Sequence, residues 1–196
     1  MTILLEMYVT LIPVILAGIL NMVWVKLPYM ASWTRPIDNK KCFFDGKRIF
    51  GDNKTWKGFF GMIIFAMSST VIWGLICKMA PYLNAHNYLY INHNNSLAFN
   101  ASIGSFLGLA YAVCELPNSF LKRRVDIIPG KTAEGLKSVF FVLLDQADSI
   151  FGCVFVILLL YKMSILFYFA YVIVGAGTHI VINMLLYLAK LRKNMF

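Results

Sequence analysis

The sequence predicts an all-α membrane protein of about five transmembrane helices, on three observations. Of its 196 residues, 60% are hydrophobic and only 14% charged, whereas a soluble domain carries about 25% charge; mean hydropathy is +0.71. The apolar residues fall into five runs, each near the roughly 20 residues that a helix needs to cross a bilayer. The net charge of +9 is concentrated in three segments that would share one side of such a membrane. That clustering reads as a topological signal, and no nucleic-acid partner is expected from it.

In chain order, the first span covers about residues 3–25. With Glu6 near its start, no basic leader and no small-residue cleavage site, it reads as a permanent span and not a removable signal. A basic loop, 26–57, precedes the second span, 58–77. Residues 78–96 are polar, rich in Asn and His and almost uncharged, so they read as a connecting loop. The third span, 97–116, is expected to stop at Pro117, because proline disfavours helix in the residue before it. A second basic loop, 117–137, turns at Pro129-Gly130 and leads into the fourth span, 138–161. Lys162 marks a short turn before the fifth span, 163–189, and a basic tail follows. The whole, 1–196, reads as one transmembrane domain. Cys42, Cys77, Cys114 and Cys153 are isolated, without zinc or redox spacing.

The first loop carries eight Lys and Arg, the second five and the tail three, so sixteen of eighteen cations share one side if there are five spans. By the positive-inside rule that side is the cytoplasm, with the N-terminus outside and the protein multi-pass in the cell (plasma or inner) membrane. Basic loops of this kind also touch anionic membrane lipids.

Asp145 and Asp148 lie inside the fourth span, where each acid costs about 2.5–3.5 kcal/mol to insert. Three residues apart, they share a helical face. They sit seven and ten residues in from Ser138, or about 11–15 Å deep, a depth that calls for a hydrated cavity. Oxygen-only ligands suit Mg²⁺, which uses one or two carboxylates with substrate phosphates and water. The same pair would serve a proton relay in a transporter, or be a structural pair neutralised by Lys or Arg; spacing alone leaves these open. Glu115, one turn before Ser119, would complete the metal site or pair with Lys122. Asn118 and Ser119 are polar neighbours, while Gln146 must point elsewhere on its helix. Lys122, Arg123 and Arg124 supply point charge and planar donors suited to a triphosphate.

The first loop contains Asp45-Gly46-Lys47-Arg48 and then Gly51-Asp52-Asn53-Lys54-Thr55-Trp56-Lys57-Gly58. Glycines there would let backbone approach a phosphate or base. The spacing is not a P-loop, because Asp52-Asn53 stands where Gly-Lys is needed. Trp56 reads as an interfacial anchor. In the fifth span His179 and Asn183 share a face, at a depth comparable to that of the two aspartates, which points to one shared cavity.

Taken together, these motifs resemble the CDP-archaeol synthase family and, more distantly, CDP-diacylglycerol synthase. The matching pieces are the two first-loop segments; Ser119-Phe120-Leu121-Lys122-Arg123-Arg124; Leu144-Asp145-Gln146-Ala147-Asp148; and His179 with Asn183. They cover about a third of the chain, in the family's order. Cys114-Glu115 departs from the Gly-Asp expected there. The resemblance implies that CTP and a lipid phosphate give a CDP-lipid and pyrophosphate. It implies Mg²⁺ on Asp145 and Asp148, with Glu115 as a further ligand. Ser119, Lys122, Arg123 and Arg124, with Asp52, Asn53, Lys54, Thr55 and Lys57 of the first loop, would hold the nucleotide phosphates, and His179 and Asn183 would line the same site. Assembly as a homodimer is left open.

Two other classes share part of this pattern. The CDP-alcohol phosphotransferases need Asp-Gly-x2-Ala-Arg and a longer series of aspartates; Asp45-Gly46 begins that way, but no Ala-Arg follows. A proton- or ion-coupled transporter would use the intramembrane Asp pair, but predicts polar residues reaching the outer side of the spans.

Overall fold

The computed structural model describes residues 2–129 and 136–190. Gly130 of the expected turn, Lys131, Arg192 and Lys193 lie outside the described residues, as does the side chain of Lys137. The helices are α1 (Thr2–Lys26), α2 (Trp56–Met79), α3 (Pro81–Ala85), α4 (Leu97–Arg124), α5 (Leu136–Leu160) and α6 (Ile165–Leu188). All but α3 are long and apolar enough to cross a membrane, so the five-span expectation holds. Side chains such as Ile72, Leu159, Leu166 and Ile173 point outward, exposed, as a lipid-facing surface requires.

Local chemistry starts three of the spans. Thr55, Ser96 and Ser164 each accept a backbone N–H three residues on, at 3.2 Å, from Gly58, Phe99 and Phe167. These are N-caps, each satisfying one of a helix's orphan donors. The bundle then closes through small residues. A Cβ on Gly104 would meet the Ala66 carbonyl at 2.8 Å, and one on Gly108 the Met62 carbonyl at 2.7 Å, so α2 and α4 touch backbone to backbone. Four residues apart, the two glycines form the small-residue stripe that substitutes for a hydrophobic drive inside lipid.

Two expectations need correction. The third span does not stop at Pro117: α4 runs through it to Arg124. Proline removes one helical hydrogen bond, but packing of α4 between α2 and α5 holds both halves in line. Residues 118–124 therefore lie on a helix and not in a loop. Nor is 78–96 a free polar connection. Asn87, Tyr88, Leu89 and Tyr90 are buried and cap one end of the bundle, called here the far end. There Tyr88 N–H donates to Thr10 Oγ1 (3.0 Å), its hydroxyl donates to Glu6 (2.9 Å), and its ring stacks on Tyr161 at 4.5 Å. Asn92 and Asn95 donate to the carbonyls of Leu160 and Gly74.

At the opposite end, loop one (27–55) folds over the bundle with no regular strand, only two isolated antiparallel bridges, Pro36 with Thr55 and Cys42 with Arg48. Its organiser is Asp38, which is 6% exposed. The carboxylate accepts from Arg48 (2.8 and 3.2 Å) and from the backbone N–H groups of Lys40, Phe50 and Gly51 (each 3.0 Å). Burial alone would raise its pKa; Arg48 and the three amides outweigh that and hold it at about 2.

Candidate active site

The continuation of α4 decides the geometry. Glu115, Asn118, Ser119 and Lys122 fall at intervals of three and four residues, so one helical face carries all four into the same cavity. Asn118 Nδ2 donates to Asp145 Oδ1 (2.7 Å) and to Asp148 Oδ2 (2.8 Å), joining the two acids through one amide. Asp148 also accepts from Ser149 N–H at 2.6 Å. The Lys122 ammonium bridges both oxygens of Asp145. Glu115 pairs with Lys54 from loop one, not with Lys122. Burial would lower the Lys54 pKa, but Glu115 first, then Asp148 and Asp145, push it up, so this lysine stays charged.

These groups line a cavity of about 880 Å³ that reaches from loop one into the bundle. Asp52, Asn53, Lys54, Thr55 and Lys57 contribute from loop one and the start of α2, Ser119 and Arg123 from α4, and His179 and Asn183 from α6. Gln146 turns towards α6, where Asn183 donates to its Oε1 (2.6 Å) and His179 Nδ1 lies 3.3 Å from its backbone carbonyl.

The three adjacent cations have separate jobs. Lys122 is on Asp145. Arg123 is 7% exposed, lines the cavity, and its Nε and Nη1 have no hydrogen-bond partner among the described residues. Its guanidinium lies 3.4 Å from where a Cβ on Gly51 would sit; Gly51 has φ +112° and a Cβ there would also meet Pro129 at 2.7 Å. Only glycine lets the loop backbone come this close. Arg124 does not line the cavity. It reaches back to Asp45 (3.0 Å) and the Arg48 carbonyl, and packs over the rings of Phe43 and Phe120. With Lys47, which contacts Asp126 and the Arg124 carbonyl, it clamps loop one to the end of α4. Lys57, though at the cavity wall, donates to the Leu27 carbonyl (2.6 Å) and sits 4.7 Å over the Trp24 ring. It thereby caps the C-terminal end of α1, where carbonyls lack partners. Asp52 is largely exposed and pairs with Arg48.

Glu115 is engaged with Lys54, and among the described residues no three His, Cys, Asp or Glu side chains are arranged to hold a metal. Sequence reading overlooked Asp38, whose signal was only a Pro-Ile-Asp-Asn stretch before the left-handed Asn39 and Lys40. It also gave Asn118 less weight than its central position merits.

Five helices long and apolar enough to cross a membrane, with a charged pocket at one end, define a multi-pass membrane protein. The chain belongs to the CDP-archaeol synthase family, whose CarS-like model matches residues 2–196. A CDP-archaeol synthase of Pyrococcus furiosus is 37% identical over 116 residues, 59% of this chain and 61% of the relative. The match thus spans about three-fifths of that relative's length. One from Sulfurisphaera tokodaii is 29% identical over 167 residues, 84% of this chain and 83% of the relative. A solved intramembrane enzyme for archaeal membrane lipid biosynthesis superimposes with a TM-score of 0.60 at 22% identity, covering 90% of this chain and 92% of that one. The likeness shows a common fold. The transporter alternative finds no support here.

Proposed function

We propose that the protein is a cytidylyltransferase that moves CMP from CTP to a membrane lipid phosphate, an archaeol-type ether lipid phosphate being the favoured acceptor. A lipid-phosphate oxygen forms a bond to the α-phosphorus of CTP. The bond from that phosphorus to the bridging oxygen breaks, and pyrophosphate leaves. The observation that carries this reading is the meeting of Asp145 and Asp148 at one Asn118 amide, beside Lys54, Lys122 and an Arg123 guanidinium whose Nε and Nη1 have no partner among the described residues. Such transfers rest on positioning and charge stabilisation.

Arg123, with free donors, binds the phosphates of CTP; Lys122 and Lys54 exchange their carboxylate partners for phosphate oxygens. Ser119, Asn53 and Thr55 offer neutral donors around them, and Asn183 and His179 line the same cavity. Mg²⁺ fits this oxygen-only set: two carboxylates converge, and Asn118 Oδ1 beside them is a buried acceptor without a partner among the described residues. Asp145, Asp148 and Asn118 would hold it, and when bound it would neutralise phosphate charge. The cation distribution supports a cavity that faces the cytoplasm, where CTP is, in the cell membrane.

Protein purified in detergent, given CTP and a panel of ether- and ester-lipid phosphates, should release pyrophosphate and form a CDP-lipid with Mg²⁺, and neither product with EDTA. Background-level pyrophosphate across the whole panel would overturn the reading.

A further inference from the structure

We infer that the slot between α1 and α6 receives the hydrocarbon of the lipid phosphate and admits it sideways from the bilayer; this rests on the cytidylyltransferase reading. The other seams of the bundle are sealed by glycines pressed against a neighbour. A Cβ on Gly61 would meet Trp24 at 2.8 Å between α1 and α2, and the Gly104 and Gly108 contacts seal α2 to α4. Gly152 lies against the Ala110 carbonyl (2.6 Å) between α4 and α5, and Gly175 against Ile150 (2.5 Å) between α5 and α6. Gly18 of α1 differs. A Cβ there would meet only the Tyr111 hydroxyl, at 3.7 Å, so this glycine lines a space.

The two helices touch towards the far end. Tyr171 donates to the Met7 carbonyl (2.8 Å), the hydroxyls of Thr178 and Tyr8 lie 3.1 Å apart, and Leu11 packs 3.5 Å from the Cβ position of Gly175. Nearer loop one the cavity lies against both helices, lined by Ile15, Ile19 and Met22 of α1 and by Ile182 and Leu186 of α6. These aliphatic walls are half-buried and extend about 11 Å from Gly18 to the level of Val25. They are continuous with the charged pocket: Tyr111 lies one turn below Glu115, and Asn183 sits beside Ile182. An apolar slot opening into a cationic pocket matches a molecule that is hydrocarbon at one end and phosphate at the other. A soluble nucleotide needs only the polar half.

Gly18→Leu fills the slot from α1 and Ile182→Trp from α6. Each should raise KM for the lipid phosphate at least about tenfold, the loss expected when an apolar subsite is overfilled, and leave KM for CTP within about twofold. Gly177→Leu is the control, because a Cβ there meets nothing within 4 Å and Gly177 is outside the cavity wall. If one slot variant fails to fold, the other carries the test; an unchanged lipid KM in a folded slot variant overturns the slot. A lipid phosphate with a photoreactive chain, added without CTP, should label α1 near Ile19 and α6 near Ile182. Labelling confined to the other seams, or none, overturns it. That labelling needs no turnover, so an unmodified protein that makes no CDP-lipid yet labels the slot sinks the cytidylyltransferase reading and leaves the slot standing.

Discussion

The two ends of the bundle solve the same problem in opposite ways. At the far end, polar residues are buried and matched: Tyr88 with Thr10 and Glu6, Tyr90 with Asn100, Asn87 with Leu89 N–H. At the loop-one end, buried polar atoms have no hydrogen-bond partner among the described residues: Asn118 Oδ1 and Arg123 Nε and Nη1. An unmatched buried polar group costs about 1–3 kcal/mol, so the second end is held in a less stable arrangement that a ligand would complete. The far end is matched within the protein, while the loop-one end keeps unmatched polar atoms at the cavity.

The largest effect should come from the acids. Asp148→Asn is expected to lower turnover at least about 10³-fold, on the scale of losing charge stabilisation at a transferred group. Its thermal midpoint in detergent should be nearly unchanged, because one buried negative charge is removed with the shape kept. Normal pyrophosphate release by this variant would break the division between the two ends. Next, Tyr88→Ala should act on stability, by about 3 kcal/mol for an aromatic lost from a packed site. Denaturant unfolding reads that loss, and kcat of the folded fraction should stay within about twofold. A collapse of kcat at unchanged stability would mean that the far end takes part in the chemistry.

Asp38→Asn should cost about 1.5–3 kcal/mol, the scale of hydrogen bonds to a charged group. Its folded pKa, about 2, lies below the unfolded value of about 3.9. The Asp38 contribution is therefore fully present above about pH 4 and lost as pH falls towards 2. Proteolysis of loop one against pH should show that loss in the parent protein and not in the variant. The smallest effect is expected for Arg123→Lys: charge is kept but planar donors are lost, raising KM for CTP about tenfold. Stability should be unaffected, since Nε and Nη1 have no hydrogen-bond partner to lose among the described residues.

Much of this was legible in the chain because it depends on local composition. Hydropathy runs set five spans, since lipid demands about 20 apolar residues wherever a helix crosses. The cost of charge in lipid singled out Asp145 and Asp148, and helical spacing put them on one face. Other features depend on partners distant in sequence. Lys122, Arg123 and Arg124 are equivalent as letters. Only the docking of loop one, 76 residues away at the Arg48 carbonyl, turns Arg124 into a clamp and leaves Arg123 in the cavity. Lys57 resembled a phosphate ligand until α1 brought the Leu27 carbonyl to it.

Pro117 is the clearest case. Backbone sterics favour a stop there, yet contacts with α2 and α5 outweigh one missing hydrogen bond. By keeping α4 helical they align Glu115, Asn118, Ser119 and Lys122 on one face. Residue types and their insertion costs are local quantities and can be read in order along the chain. Which cation meets which acid, and which glycine lines a gap, is set by the way five helices pack, and that is decided only in three dimensions.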